Sequence, residues 1–227
     1  MTIEMNLQKG LVGHWTMDDE DTSGSTIFDS SGYDFNGQLV NNPSTNNNSI
    51  IGDSYSFDGS SHRIDTNQNK YKIKTVAFWI KKENKGESFS KYNSWGVTSD
   101  VAERIVRTEN TVTSDRIYTR WIVTPESAGF RRGGVWSRSG SYSYADGNWH
   151  HYASTFDGDV VSEYFDGDIF TATTGIGGSV PETSSSFSII GNSTPYNCSD
   201  VRIYNRTLSE EEVSALYNMR SQRNASI

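Results

Sequence analysis

The chain has 227 residues, a formal net charge of -8, 33% hydrophobic residues and 12% aromatic ones. Its acidity and the lack of a long basic run argue against nucleic acid as a partner. No run approaches the roughly 18 apolar residues of a spanning helix, so membrane insertion is not expected.

The length is enough for one core of useful size. The single cysteine, Cys198, cannot close an internal disulfide, so the fold cannot depend on one. Cys198 reads as a small buried side chain. Residues Met1 to Asn6 carry neither a basic nor an apolar leader pattern, so no signal peptide is expected.

In chain order, residues 1–9 read as a lead-in, 10–220 as one domain and 221–227 as a loose tail. Leu11 to Met17 is a first predicted strand. Asp18 to Ser25 reads as an acidic loop, and Asp29 to Gly37 is dense in turn formers. Asn41 to Ser49 is an Asn-rich loop. Ser54 to Phe57 and Arg63 to Asp65 are short strands. Over Lys72 to Lys82, Val76, Phe78 and Ile80 alternate with Ala77 and Trp79, the period of a strand.

The stretch from Glu83 to Ser143 is less patterned, with strands expected at 117–123 and 133–137. Trp149 to Phe156 and Val160 to Phe165 read as strands joined through Asp157-Gly158. Asp166-Gly167 then turns into Ile169 to Thr171. Asp-Gly between β-formers is a hairpin signal. Phe187 to Ile190 and Val201 to Tyr204 are the last strands. Ser209 and Glu212 form a capping box, and Val213, Leu216 and Tyr217 give the apolar stripe of one short helix. Many short strands and one late helix indicate an all-β antiparallel sandwich.

Four segments together resemble the laminin-G-like jelly-roll family of the concanavalin A-like lectin/glucanase superfamily. They are Gly10-Leu11-Val12-Gly13-His14-Trp15-Thr16-Met17-Asp18, Asp29-Ser30-Ser31-Gly32 running to Asn36-Gly37, Trp149-His150-His151-Tyr152-Ala153 with Phe156-Asp157-Gly158 and Tyr164-Phe165-Asp166-Gly167, and Asp200-Val201-Arg202-Ile203-Tyr204-Asn205-Arg206-Thr207-Leu208-Ser209. The resemblance implies a concanavalin A-like jelly roll with a C-terminal helix. It also implies a structural Ca2+, which in this chain would fall to Asp18, Asp29, Asn36 and Asp200. Calcium takes six to eight oxygens, and small polar loops supply them. The plainer role for such residues is capping turns.

Sugar binding needs aromatic faces for C–H groups and polar side chains for hydroxyls. The variable middle offers Tyr92, Trp95, Trp121, Arg131, Trp136 and Tyr142 as glycan-binding candidates. Trp15 and Trp149 lie inside the shared motifs and read as core. His150 and His151 are adjacent on a strand, so they face opposite sides and do not form a metal pair.

No pair of carboxylates has glycosidase spacing: Glu163 and Asp166 flank a hairpin, and Glu210 to Glu212 serve a helix start. A non-enzymatic recognition or adhesion module is therefore expected, with a glycan or glycoprotein surface as partner. The alternative is a structural virion component, a capsid or tail appendage contacting other virion proteins or its own copies. A glycan-active hydrolase or lyase is disfavoured. The expected location is a virion surface, or otherwise outside the cell by a route without a signal peptide.

Overall fold

The computed structural model describes residues 7–46, 49–58, 61–66, 73–81, 104–109, 120–124, 127–132, 135–138, 146–157, 160–173, 186–192 and 195–219. Over 104–138, at 170, 171 and 173, and over 186–192 it describes the backbone alone. The strands in chain order are β1 (Leu11–Trp15), β2 (Thr22–Ser23), β3 (Thr26–Ile27), β4 (Gly37–Val40), β5 (Ser44–Asn46), β6 (Ser54–Phe57), β7 (Arg63–Thr66), β8 (Thr75–Lys81) and β9 (Arg104–Glu109). They continue with β10 (Arg120–Thr124), β11 (Ser127–Arg132), β12 (Val135–Arg138), β13 (Trp149–Phe156), β14 (Val161–Phe165), β15 (Asp168–Thr173), β16 (Ser186–Asn192) and β17 (Tyr196–Tyr204). One helix, α1 (Glu210–Asn218), follows.

These strands form two antiparallel sheets. One has 8 strands in the order β15-β14-β13-β8-β17-β6-β5, with β1 also paired to β17. The other has 9, in the order β12-β11-β10-β9-β16-β7-β4-β3-β2. The chain is thus an all-β jelly-roll sandwich with one C-terminal helix, as expected.

The alternation in β8 decides which side chains go where. Val76, Phe78 and Ile80 join Trp15, Met17, Phe57, Tyr152, Val201 and Ile203 in the main core, where Ile27 and Ile64 of the second sheet meet them. Ala77 falls on the opposite face, with Ala153, Tyr164, Tyr204, Leu208, Val213 and Leu216. A sheet with a second apolar face must cover it, and α1 does so. Trp79 stacks on Tyr217 of that helix, ring centroids 5.6 Å apart.

The local signals hold at both ends of this arrangement. Ser209 accepts from the Glu212 N–H while Glu212 accepts from the Ser209 N–H, the reciprocal capping box. Asp166 at φ 51 and Gly167 at φ 89 make the turn between β14 and β15. A side chain at Gly167 would meet Tyr217, its Cβ 2.9 Å from Cδ1. Cys198 is fully buried, and burial pushes its thiol pKa up.

The differences from the expected elements are informative. Strands β2 and β5 and the first residue of β4 fall in stretches read as loops, and β3, the rest of β4, β9 and β11 were not anticipated. β2 to β5 are short and lie at or near sheet edges, where one-sided burial leaves little alternation to read. Trp149 is half-buried rather than core, because it opposes Lys81 at the end of β8. Among the described residues no helix is long and apolar enough to cross a membrane.

The helix is attached by few large side chains, and Leu216 is 2% exposed. Leu216→Ala should lower unfolding free energy by about 2–5 kcal/mol in urea titration, with α1 undocking as the cause.

Candidate functional site

The long strand β17 has two different neighbours on one edge. Tyr196, Asn197 and Cys198 pair with β6, whereas Val201 to Tyr204 pair with β1. Between the two lie Ser199 and Asp200, where the register against β8 also shifts. Asp200 adopts φ 49 there. Such a bulge re-aims side chains at a gap between strands. The end of β1 and the lead-in to β6 meet at this gap.

Asp200 is buried, and its Oδ1 lies 2.7 Å from His14 Nε2. Arg202 donates to the same carboxylate from Nε at 3.2 Å and from Nη2 at 3.1 Å. Burial alone would raise the Asp200 pKa. The Arg202 charge and the His14 contact override it and hold the carboxyl well below its usual range. Arg202 is buried too, and the Asp200 carboxylate raises its pKa against that burial.

His14 also joins this pair to the loop after β3. Its N–H donates to Asp29 Oδ1 at 2.8 Å. Asp29 further accepts from Ser31 N, Ser31 Oγ and Phe35 N at 2.9, 2.7 and 3.0 Å. Asn36 Oδ1 accepts the Asp29 N–H at 2.9 Å. As placed, Asp29 and Asn36 therefore cap the turn.

Asp18 sits on the β6 side of the gap. Its Oδ1 accepts the Asp53 N–H at 2.7 Å. A side chain at Gly52, which is left-handed at φ 65, would run into this carboxylate. Nearby, Ser199 Oγ lies 3.5, 3.2 and 2.8 Å from the carbonyls of Thr16, Ile51 and Asp53. One hydroxyl proton cannot satisfy three carbonyls.

These placements test the fit of a calcium ion. Asp29 and Asp200 are each engaged by several protein donors, and a cation on Asp200 would face the Arg202 guanidinium. Asn36 Oδ1 and Asp18 Oδ1 each accept a backbone N–H and, as oxygens with two lone pairs, can still face an ion. The Asp18 carboxylate with the Thr16, Ile51 and Asp53 carbonyls and the Ser199 hydroxyl is the oxygen-rich set that calcium favours. Among the described residues no three His, Cys, Asp or Glu side chains are grouped to hold a metal.

Of the sugar-binding candidates, Tyr92, Trp95 and Tyr142 lie outside the described residues. Trp121, Arg131 and Trp136 lie in β10, β11 and β12, where the backbone alone is described. The ladder sets Arg131 opposite Trp136 on one side and opposite Arg120 on the other, while Trp121 opposes Phe130.

Sequence reasoning did not single out His14, Thr16, Ser199 or Arg202. The partners of His14 are 15 and 186 positions away, so no local spacing signals them. The Asp200-to-Arg202 spacing of i, i+2 was a legible signal of shared facing on a strand.

The histidines of β13 face opposite ways, as expected. His151 packs against Trp79 and Tyr217, with centroids at 5.2 and 6.2 Å. His150 lies between two carboxylates, Nδ1 2.9 Å from Asp166 Oδ2 and Nε2 3.0 Å from Asp146 Oδ1. Glu163 is fully buried and accepts from the Tyr152 hydroxyl at 2.9 Å. Burial first, then the Glu163 charge, raises the Tyr152 pKa strongly.

This architecture defines a lectin-type β-sandwich, and the comparisons agree. The laminin G family described as the concanavalin A-like lectin/glucanases superfamily matches residues 52–214. The chain belongs to that family.

By sequence, no curated protein matches. Among solved structures, the binding domain of Paraclostridial Mosquitocidal Protein 1 is similar at TM-score 0.68 and 15% identity, covering 94% of this chain and 53% of that one. Domain 4 of AbnA, an extracellular arabinanase from Geobacillus stearothermophilus in complex with arabinotriose, has TM-score 0.66 and 18% identity, covering 91% and 98%. The binding domain of botulinum neurotoxin DC in complex with rat synaptotagmin II has TM-score 0.65 and 14% identity, covering 94% and 52%. The chain spans about half the length of the toxin binding domains and nearly all of the arabinanase domain. At these identities the likeness is one of fold.

Two outcomes follow. Asp200→Ala leaves Arg202 buried without its carboxylate, so unfolding free energy should fall by about 3–5 kcal/mol; Asp200→Leu with Arg202→Met should recover much of that loss in the same urea titration. Two carboxylates also raise the His150 pKa above its ordinary 6.5 despite burial. The stability from this contact is fully present below that pH and is lost as pH rises through the folded value. Melting temperature against pH should therefore decline above about pH 6.5 more steeply in the wild type than in His150→Gln.

Proposed function

We propose that this chain is a non-catalytic recognition module that binds carbohydrate on a cell or particle surface. The observation that carries the reading is the lectin-family sandwich with Arg120, Arg131 and Trp136 at directly opposed positions across β10, β11 and β12. The register brings together residue types suited to a sugar, since a guanidinium can donate to hydroxyls and an indole can stack on a sugar ring. The similar arabinanase domain was crystallised with arabinotriose, which supports a saccharide ligand. The similar toxin binding domain in complex with synaptotagmin II makes a protein or glycoprotein surface the other class of partner.

Burial of Glu163 away from solvent supports recognition rather than hydrolysis. A structural calcium belongs to this reading at the Asp18 end of the gap, where the Thr16, Ile51 and Asp53 carbonyls and Ser199 Oγ gather. The ion would supply charge compensation for oxygens that the protein leaves crowded, holding the end of β1 against the start of β6.

The experiment is thermal unfolding with calcium and with EGTA, alongside a glycan array in both states. Calcium should raise the melting temperature, and Asp18→Asn should weaken that rise. Glycan hits that Arg131→Ala and Trp136→Ala reduce support the recognition site. No calcium shift overturns the metal assignment, and no hits in either state overturn carbohydrate recognition.

A further inference from the structure

Among the described residues the exposed large hydrophobic side chains are Phe28 at 43%, Tyr33 at 46% and Ile169 at 46%. Single exposed apolar residues are ordinary. Here two of the three fall on one nine-residue stretch, Phe28 to Asn36. It is the same stretch that Asp29 braces from below.

The bracing is extensive. Besides its own three donors to Asp29, from Ser31 N, Ser31 Oγ and Phe35 N, the stretch is tied by Ser30 N–H to the His14 carbonyl at 2.8 Å. The Trp15 indole N–H donates to the Phe35 carbonyl at 3.1 Å. Trp15 is itself fully buried, so this loop is pinned to the core. Binding to it would cost little ordering entropy.

The geometry of the rings adds to this. Phe35 packs partly buried against the main core. Tyr33 lies parallel to it, 7° between planes and 6.2 Å between centroids. Between them Asp34 is exposed and left-handed at φ 60. The loop therefore presents a fixed flat ring beside an exposed carboxylate and the exposed Ser30.

The amount of exposed apolar surface on the stretch selects the ligand. Even taken together, the Phe28 and Tyr33 rings, each a little under half exposed, offer on the order of 200 Å², whereas a specific protein interface needs about 800 Å² per partner. So small an area suits one sugar ring, whose C–H face stacks on an aromatic while its hydroxyls bond to a carboxylate. Asp34 and the overall acidity disfavour an anionic sugar.

We propose that the Phe28–Asn36 loop is a saccharide-contact site for a neutral sugar, with Tyr33 as the stacking ring and Asp34 as the hydroxyl acceptor. This rests on the carbohydrate-recognition reading, but it uses a surface distinct from the β10–β12 row.

The test uses the whole chain on an array of neutral and acidic glycans, comparing wild type, Tyr33→Ala, Tyr33→Phe, Asp34→Asn and Trp136→Ala. Affinity for a neutral glycan should fall about tenfold in Tyr33→Ala, the loss of one stacked ring, and in Asp34→Asn. Tyr33→Phe should retain it. Melting curves recorded alongside should show every variant folded at the assay temperature, with at most a small decrease in Tyr33→Ala from the lost contact with Phe35. Hits that survive Tyr33→Ala but fail in Trp136→Ala overturn the loop site and leave the carbohydrate reading standing. Hits confined to acidic glycans overturn the choice of ligand. No glycan binding by the wild type overturns both.

Discussion

The buried pair of Asp200 and Arg202 is the constraint around which the sandwich is arranged. A charge pair in the interior is tolerated only when each partner is matched and its remaining hydrogen-bonding capacity is met. Here that demand is answered by His14 from the first strand. One imidazole thus ties the two ends of the chain together: its ring reaches β17 and its backbone N–H reaches Asp29. The bulge that places Asp200 is also where β17 changes partner from β6 to β1. Removing the bulge would close the gap that Ser199, Asp18 and the three carbonyls surround.

From this centre the two faces of the larger core follow. β8 sits beside β17 and β13 beside β8, and both are largely buried on both sides. Their inward residues face the second sheet, and their outward ones, Ala77, Ala153 and Trp79, are small or flat. A helix can then lie close on that face. The Trp79, His151 and Tyr217 stack fills what the alanines leave open. The fold spends its apolar surface on two layers, which is why only three large apolar side chains are exposed among the described residues. That economy makes the aromatic loop at Phe28–Asn36 stand out from its surroundings.

Much of the fold was legible. The alternation of β8, the Asp166-Gly167 turn, the Ser209–Glu212 capping box and the stripe of α1 are local patterns whose physics acts within a few residues. Three of the four family motifs fell on β1, β13–β14 and β17, strands of the eight-stranded sheet, so the resemblance carried part of the topology as well. Short strands such as β2 and β5 were not legible, because two or three polar residues at a sheet edge carry no period. Trp149 was misplaced as core for a related reason: its motif fixes the strand, but the strand's end decides exposure.

The site divides along the same line. The family resemblance implied Asp18, Asp29, Asn36 and Asp200 as a set of oxygen donors. Only the tertiary structure decided that Asp29 and Asn36 cap a turn, that Asp200 is matched to Arg202 and His14, and that Asp18 instead borders a carbonyl-rich gap. The physical reason is reach. A hydrogen bond or an ion pair is set by distances of about 3 Å between groups that stand 15 to 186 positions apart. Sequence by itself determined the longer patterned strands such as β8, β13 and β14, the turn chemistry, the helix cap and the family. The pairing of charges, and so the chemistry each carboxylate is left to perform, arises only when β1, β6 and β17 meet.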